Sequence, residues 1–158
     1  MISREDLITQ SVQSFARNQV FDVRGYPQDK VEFIESFPYD LTQLDRNLIA
    51  MGFNFDDDGE QAELGSDLKR RIYTIEFWVF GLTNTYARNL ANVLKFALDV
   101  DGTIPLLDVA QTPPVEIDRL VLVGVTAHRQ IFPNPAPWQQ FVWTTQAKVE
   151  DTYHASAV

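Results

Sequence analysis

The chain has 158 residues, 45% of them hydrophobic, with 22 acidic against 13 basic side chains and a formal charge of −9. That length suits one domain with a core of its own, and the composition argues against disorder. The lack of cysteine excludes disulfides, thiolate metal sites and cysteine nucleophiles, and the acidic balance argues against sequence-independent phosphate binding.

The opening Met1-Ile2-Ser3-Arg4-Glu5-Asp6 lacks a basic region followed by an apolar run, so no secretory signal is expected. No stretch of about 18 apolar residues is present to span a bilayer. Ser3 is placed to cap a helix, with Glu5 and Asp6 at the positive end of its dipole. Ile8, Val12, Phe15 and Ala16 share one face at helical spacing, which predicts a helix over residues 4–20, ended by Gly25-Tyr26-Pro27. Val31, Phe33 and Glu35 alternate along a short strand stopped by Pro38, and residues 48–53 form a second apolar run of strand length. Asp56-Asp57-Asp58-Gly59 reads as a turn or loop, because adjacent like charges resist regular packing.

Residues 70–80 form the strongest strand pattern. Tyr73, Ile75, Phe77 and Val79 make one apolar face, and the other also carries bulk, which predicts a central strand covered on both sides. Thr83 caps a second helix, in which Ala87, Leu90, Ala91, Leu94, Ala97 and Leu98 recur at helical spacing until Asp101-Gly102 closes it. Residues 119–129 read as a strand with Val121, Val123, Val125 and Ala127 on one face. Three prolines make residues 133–137 a rigid connector. A half-buried antiparallel strand follows over 138–153, with Phe141, Trp143, Thr145, Ala147 and Val149 on one face. Without βαβ alternation a parallel doubly wound sheet is not expected. The order predicts an α+β fold, an antiparallel or mixed sheet of about four to six strands flanked by two helices. It forms a single domain over 1–158, with its core in 4–153 and a frayed tail from 154.

Charge is concentrated. Residues 29–67 hold eleven acids against Lys30 and Arg46, so this quarter carries the whole net charge and the remainder balances. Phe33, Phe37, Tyr39, Phe53 and Phe55 crowd into the same stretch, which is not the composition of a solvated tail. Either they pack onto the core or they form a contact surface. Asp56-Asp57-Asp58-Gly59-Glu60 invites a calcium reading, but the acids are consecutive and the glycine comes at the fourth position, not the sixth as in a helix–loop–helix calcium loop. A solvated acidic loop is the simpler reading. Lys69, Arg70 and Arg71 border this tract: they either balance local charge or meet the acidic loop of an adjacent copy. Catalytic candidates are sparse. His128 sits in a strand, His154 near the end, and neither lies in a nucleophile motif; Glu76 is an acid in an apolar strand, placed to pair with an arginine, to face a subunit contact, or to act in acid–base chemistry. No glycine-rich phosphate loop is present.

Four runs, taken together, resemble a known family. They are Tyr26-Pro27 through Val31-Glu32-Phe33-Ile34-Glu35-Ser36-Phe37-Pro38, then Phe53-Asn54-Phe55-Asp56-Asp57-Asp58-Gly59 leading to Glu63-Leu64-Gly65-Ser66-Asp67-Leu68-Lys69-Arg70-Arg71, then Arg88-Asn89-Leu90-Ala91-Asn92, and Pro137-Trp138. The pattern resembles the tail terminator proteins of long-tailed, siphovirus-type bacteriophages, especially those of actinobacterial hosts. The resemblance implies a structural virion protein, made in the host cytoplasm, with neither catalysis nor cofactor. It implies a homohexameric ring that caps the head-proximal end of the tail tube and joins it to the head-side connector, with DNA passing through the lumen without specific binding. The resemblance transfers no site residue; from their opposite charge and sequence proximity, Asp56, Asp57, Asp58, Glu60, Glu63, Lys69, Arg70 and Arg71 are expected at subunit or ring contacts or at the lumen, with Arg88 and Asn92 as a second contact. Other readings are a head-side neck or stopper protein, a small hydrolase using Glu76 or His128, and an acidic module that mimics DNA.

Overall fold

A computed structural model gives the fold and describes residues 3–34, 46–54, 60–61, 67–100, 102–131 and 140–154. The predicted Pro38 stop, the turn at 56–59, the connector at 133–137 and the tail beyond His154 lie outside these residues.

Helix α1 (Arg4–Arg17) starts as its sequence dictates: the Ser3 hydroxyl accepts from the Asp6 N–H at 3.1 Å and donates to the Asp6 carboxylate at 2.8 Å. Ile8, Val12 and Ala16 are fully buried. The helix then widens into a π-helical turn, Asn18–Val23, which buries Val20 and extends the helical path beyond the expected end at residue 20.

The strands are β1 (Val31–Ile34), β2 (Asn47–Asn54), β3 (Glu60–Gln61), β4 (Leu68–Gly81), β5 (Thr103–Asp108), β6 (Val115–Gln130) and β7 (Phe141–His154), with α2 (Asn84–Val100) between β4 and β5. They form one mixed sheet in the order β1-β2-β4-β7-β6-β5, with β3 paired to the start of β4. Only the β1–β2 pair is parallel among the described strands. Strand β4 is central, paired with β2 on one side and along its whole length with β7 on the other. Its bulky faces are explained by two cores. Tyr73, Ile75, Phe77 and Val79 join the main core under α1 and α2, while Phe80 and Trp78 pack with Leu48, Ala50, Val142, Ile34 and Ile131 on the other side.

Asn47 ties β1, β2 and the β4–α2 turn together. Its amide donates to the Lys30 carbonyl at 3.1 Å and its oxygen accepts from the Leu82 N–H at 3.0 Å. Beside it, Gly81 allows α2 to approach closely: a Cβ there would lie 2.6 Å from the Ala87 Cβ and 2.8 Å from its backbone nitrogen. Gly81→Ala is therefore expected to cost about 1–3 kcal/mol by overpacking. A urea titration with an unchanged midpoint would show that α2 is not held against this turn. The Thr83 hydroxyl caps α2 as expected, accepting from the Tyr86 N–H at 3.2 Å, and Gly102 closes it with φ +73°.

Two features depart from the sequence reading. Residues 103–108 form an edge strand that was not anticipated; its Pro105 lacks an N–H, and the Leu107 N–H donates to Ser11 of α1 at 2.9 Å, which blunts the edge. Strand β6 does not keep one apolar face. Register shifts at Leu122/Gly124 and Val125/Ala127 break its alternation, so Leu122 and Val125 pack on the core while Val121 and Val123 stay about half exposed.

Candidate assembly surfaces

The β5–β6 hairpin is the first surface. Strand β7 pairs with β6 only from Val121 onward, so residues 115–120 of β6 pair with β5 alone and the hairpin leaves the sheet. Residues 110–119 are all exposed, including Val115 at 43% and Ile117 at 51%. The base of this arm is clamped. Arg4, in the first turn of α1, sits where β6 and β7 part: its Nε and Nη2 donate to the two oxygens of Asp151, both at 2.7 Å, and Nη2 also reaches Asp118 of the arm at 3.2 Å. Asp151 is fully buried. Hydrogen bonding to Asp151 outweighs burial and raises the pKa of Arg4 above its already high value.

The basic triplet lies at the same end but is not one patch. Strand alternation places Arg71 with Tyr73 on the helix side and Arg70 on the opposite side. The Arg71 guanidinium contacts Glu5 of α1 at 3.2 Å, donates to the Tyr73 hydroxyl at 3.5 Å and lies over the Tyr153 ring at 5.5 Å. Together with Arg4, at 5.5 Å from the same ring, it fastens α1 to the sheet. Arg71 is thus held by contacts within its own chain. Glu60 and Gln61 pair in register with Arg70 and Lys69, so the acidic tract and the basic triplet are strand neighbours. Asp56, Asp57, Asp58 and Glu63 lie outside the described residues.

Arg88 and Asn92 are exposed residues of α2. Arg88 has no ion-pair partner among the described residues. The Asn92 oxygen and the Thr145 hydroxyl each lie 2.9 Å from a ring nitrogen of His128. His128 is thus one member of a polar seam under α2, completed by Asn84, whose oxygen accepts from Gln130 at 3.1 Å and from the Trp143 indole at 2.9 Å. Sequence reasoning missed this seam because its members come from three elements and share no spacing.

Burial, reinforced by Lys95 and opposed by Asp99, holds the His128 imidazole below its ordinary value of 6.5. The unfolded chain then takes up that proton more readily. The stability from the neutral ring is complete above about pH 6.5 and falls as pH drops toward the folded-state value. His128→Gln should flatten this acid limb. Melting curves at about pH 5.5 and 7.5 test it, and an equal acid loss in both proteins would remove His128 as the cause.

Glu76 lies on the sheet face away from the helices, opposite Gly52 and Gln146, with no arginine in ion-pair range among the described residues. No group of three metal-ligating side chains occurs among the described residues, and no helix there is long and apolar enough to cross a membrane. No protein-family model matches the chain, and comparison with curated proteins finds no match.

Proposed function

We propose that this chain is a structural subunit of a bacteriophage tail: a tail terminator that closes into a ring on the head-proximal end of the tube, stops its polymerisation and receives the head-side connector. The observation that carries the reading is the β5–β6 arm, ten consecutive exposed residues presenting Val115 and Ile117 beyond the sheet. A two-stranded ribbon is marginal alone and gains stability by docking on another surface. Ring closure needs two different patches on each copy, one of which the arm supplies. The resemblance noted above supplies the place in the particle. A formal charge of −9 suits a neighbour of DNA that must pass and not be gripped.

In this reading the partners are further copies of the chain, the tail tube protein and the connector, and the protein resides in the virion without catalytic activity. The test uses purified tube protein, polymerised with and without the chain. Shortened tubes capped at one end by a ring are expected by electron microscopy, and tubes of unchanged length would refute the reading. Val115→Glu/Ile117→Glu should leave a folded subunit that no longer forms rings, as read by mass photometry.

A further inference from the structure

The loop after the π-helical turn runs beside α2 and makes a groove. Tyr26 meets Tyr86 edge-on, with ring centres 5.6 Å apart, and the Arg24 guanidinium lies 5.0 Å from the centre of the Phe96 ring. Two adjoining clefts of about 460 and 410 Å³ share Arg24 and Tyr26; the first adds Asn89 and Phe96, the second Lys30. Every charged side chain lining them is a cation. Neither Arg24 nor Lys30 has an ion-pair partner among the described residues, both are exposed, and Phe96 is 55% exposed. Aromatic rings and arginine around amide groups, open to solvent, are the composition of a contact surface.

The surface calls for an acidic segment with an aromatic side chain. Residues 55–63 of this chain answer that description, with Phe55 and five carboxylates in nine positions. Within one subunit the described flanks of that segment lie away from Lys30 along β4. Lys30 lies at the Gly81 end of β4, held there through Asn47, and Tyr86 is in the first turn of α2 just beyond. Of those flanks, Asn54 opposes Thr74 and Glu60 opposes Arg70. Thr74 and Arg70 lie seven and eleven positions from Gly81, roughly 23 and 36 Å of strand.

We propose that the Arg24–Tyr26–Phe96 groove receives residues 55–63 of an adjacent copy. Two different complementary patches on one subunit make a head-to-tail contact, the kind that repeats into a closed ring. This rests on the ring reading above and adds a second contact beside that of the arm.

The test is fluorescence anisotropy of a labelled peptide of residues 53–65 titrated with the full chain. Saturable binding is expected, weakened at about 1 M salt, where the screening length is about 3 Å. Arg24→Glu/Lys30→Glu should weaken it about tenfold or more, and a peptide with lysine at 56, 57 and 58 should recover binding to that variant. No saturable binding, or equal binding by the variant, overturns the proposal. Should the double variant fail to fold by circular dichroism, Arg24→Gln/Lys30→Gln makes the same comparison. Mass photometry separates the two levels. Rings that persist in the folded variant overturn the groove contact and leave the ring standing. Peptide binding without rings from the unaltered chain overturns the ring and supports the groove.

Discussion

Replacing Arg4 with methionine is expected to cost about 3–5 kcal/mol, because it strands a fully buried carboxylate. Asp151 has no exposed surface, and Arg4 meets both its oxygens at 2.7 Å. The second partner, Asp118, is nearly half exposed, so Asp118→Asn should cost no more than about 1 kcal/mol. The contrast isolates the buried pair. Arg4→Met/Asp151→Leu should recover most of the loss, since a hydrophobic pair needs no compensation for desolvation. The arm adds a local readout. Arg4 joins Asp118 on β6 to Asp151 on β7 where the strands part, so amides of residues 115–120 should exchange faster in Arg4→Met than in the unaltered chain. A loss below about 1 kcal/mol in urea titration would mean that Asp151 finds another partner.

Phe77→Ala is expected to be as damaging, at about 3–5 kcal/mol. Phe77 is fully buried in the central strand, and its register partners Met51 and Thr145 are buried as well. Truncation removes a ring from the main core beneath the helices, and neighbours locked on two paired strands collapse little into the space. Val123→Ser is the matched control: at 54% exposure on β6 it should change stability by no more than about 0.5 kcal/mol. Equal effects of the two substitutions would mean that the core does not sit against this face of β4.

Local signals carried much of the fold. Ser3 and Thr83 cap helices where their sequences place them, and the spacing of Ile8, Val12 and Ala16, or of Leu90, Leu94 and Leu98, names the buried faces. The alternation in β4 and β7 assigned faces correctly because an antiparallel strand free of bulges keeps its period. In β6 the same logic failed. Its pattern Val121, Val123, Val125 looks uniform, yet two bulges move Val125 to the core and leave Val121 and Val123 outside. A bulge inserts one residue opposite its partner strand, and nothing in β6 alone reports that. Strand β5 escaped notice because Pro105 argues against a strand, while Ser11 of α1, 96 positions away, supplies what its edge needs.

The candidate surfaces divide in the same way. Composition and order alone determine that the charge sits in residues 29–67, that Lys69, Arg70 and Arg71 border it, and that the chain is α+β. These follow from local propensity and from counting. Tertiary structure decided that Arg71 is bound to Glu5 and Tyr73 while Arg70 faces the other way. It also decided that Arg4 clamps the arm, and that Arg24 and Lys30 gather with Tyr26 and Phe96 in a groove beside α2. The physical reason is that a side chain's partners are set by strand register and by helices packing across the sheet. Those contacts join residues dozens of positions apart, and no local pattern records them.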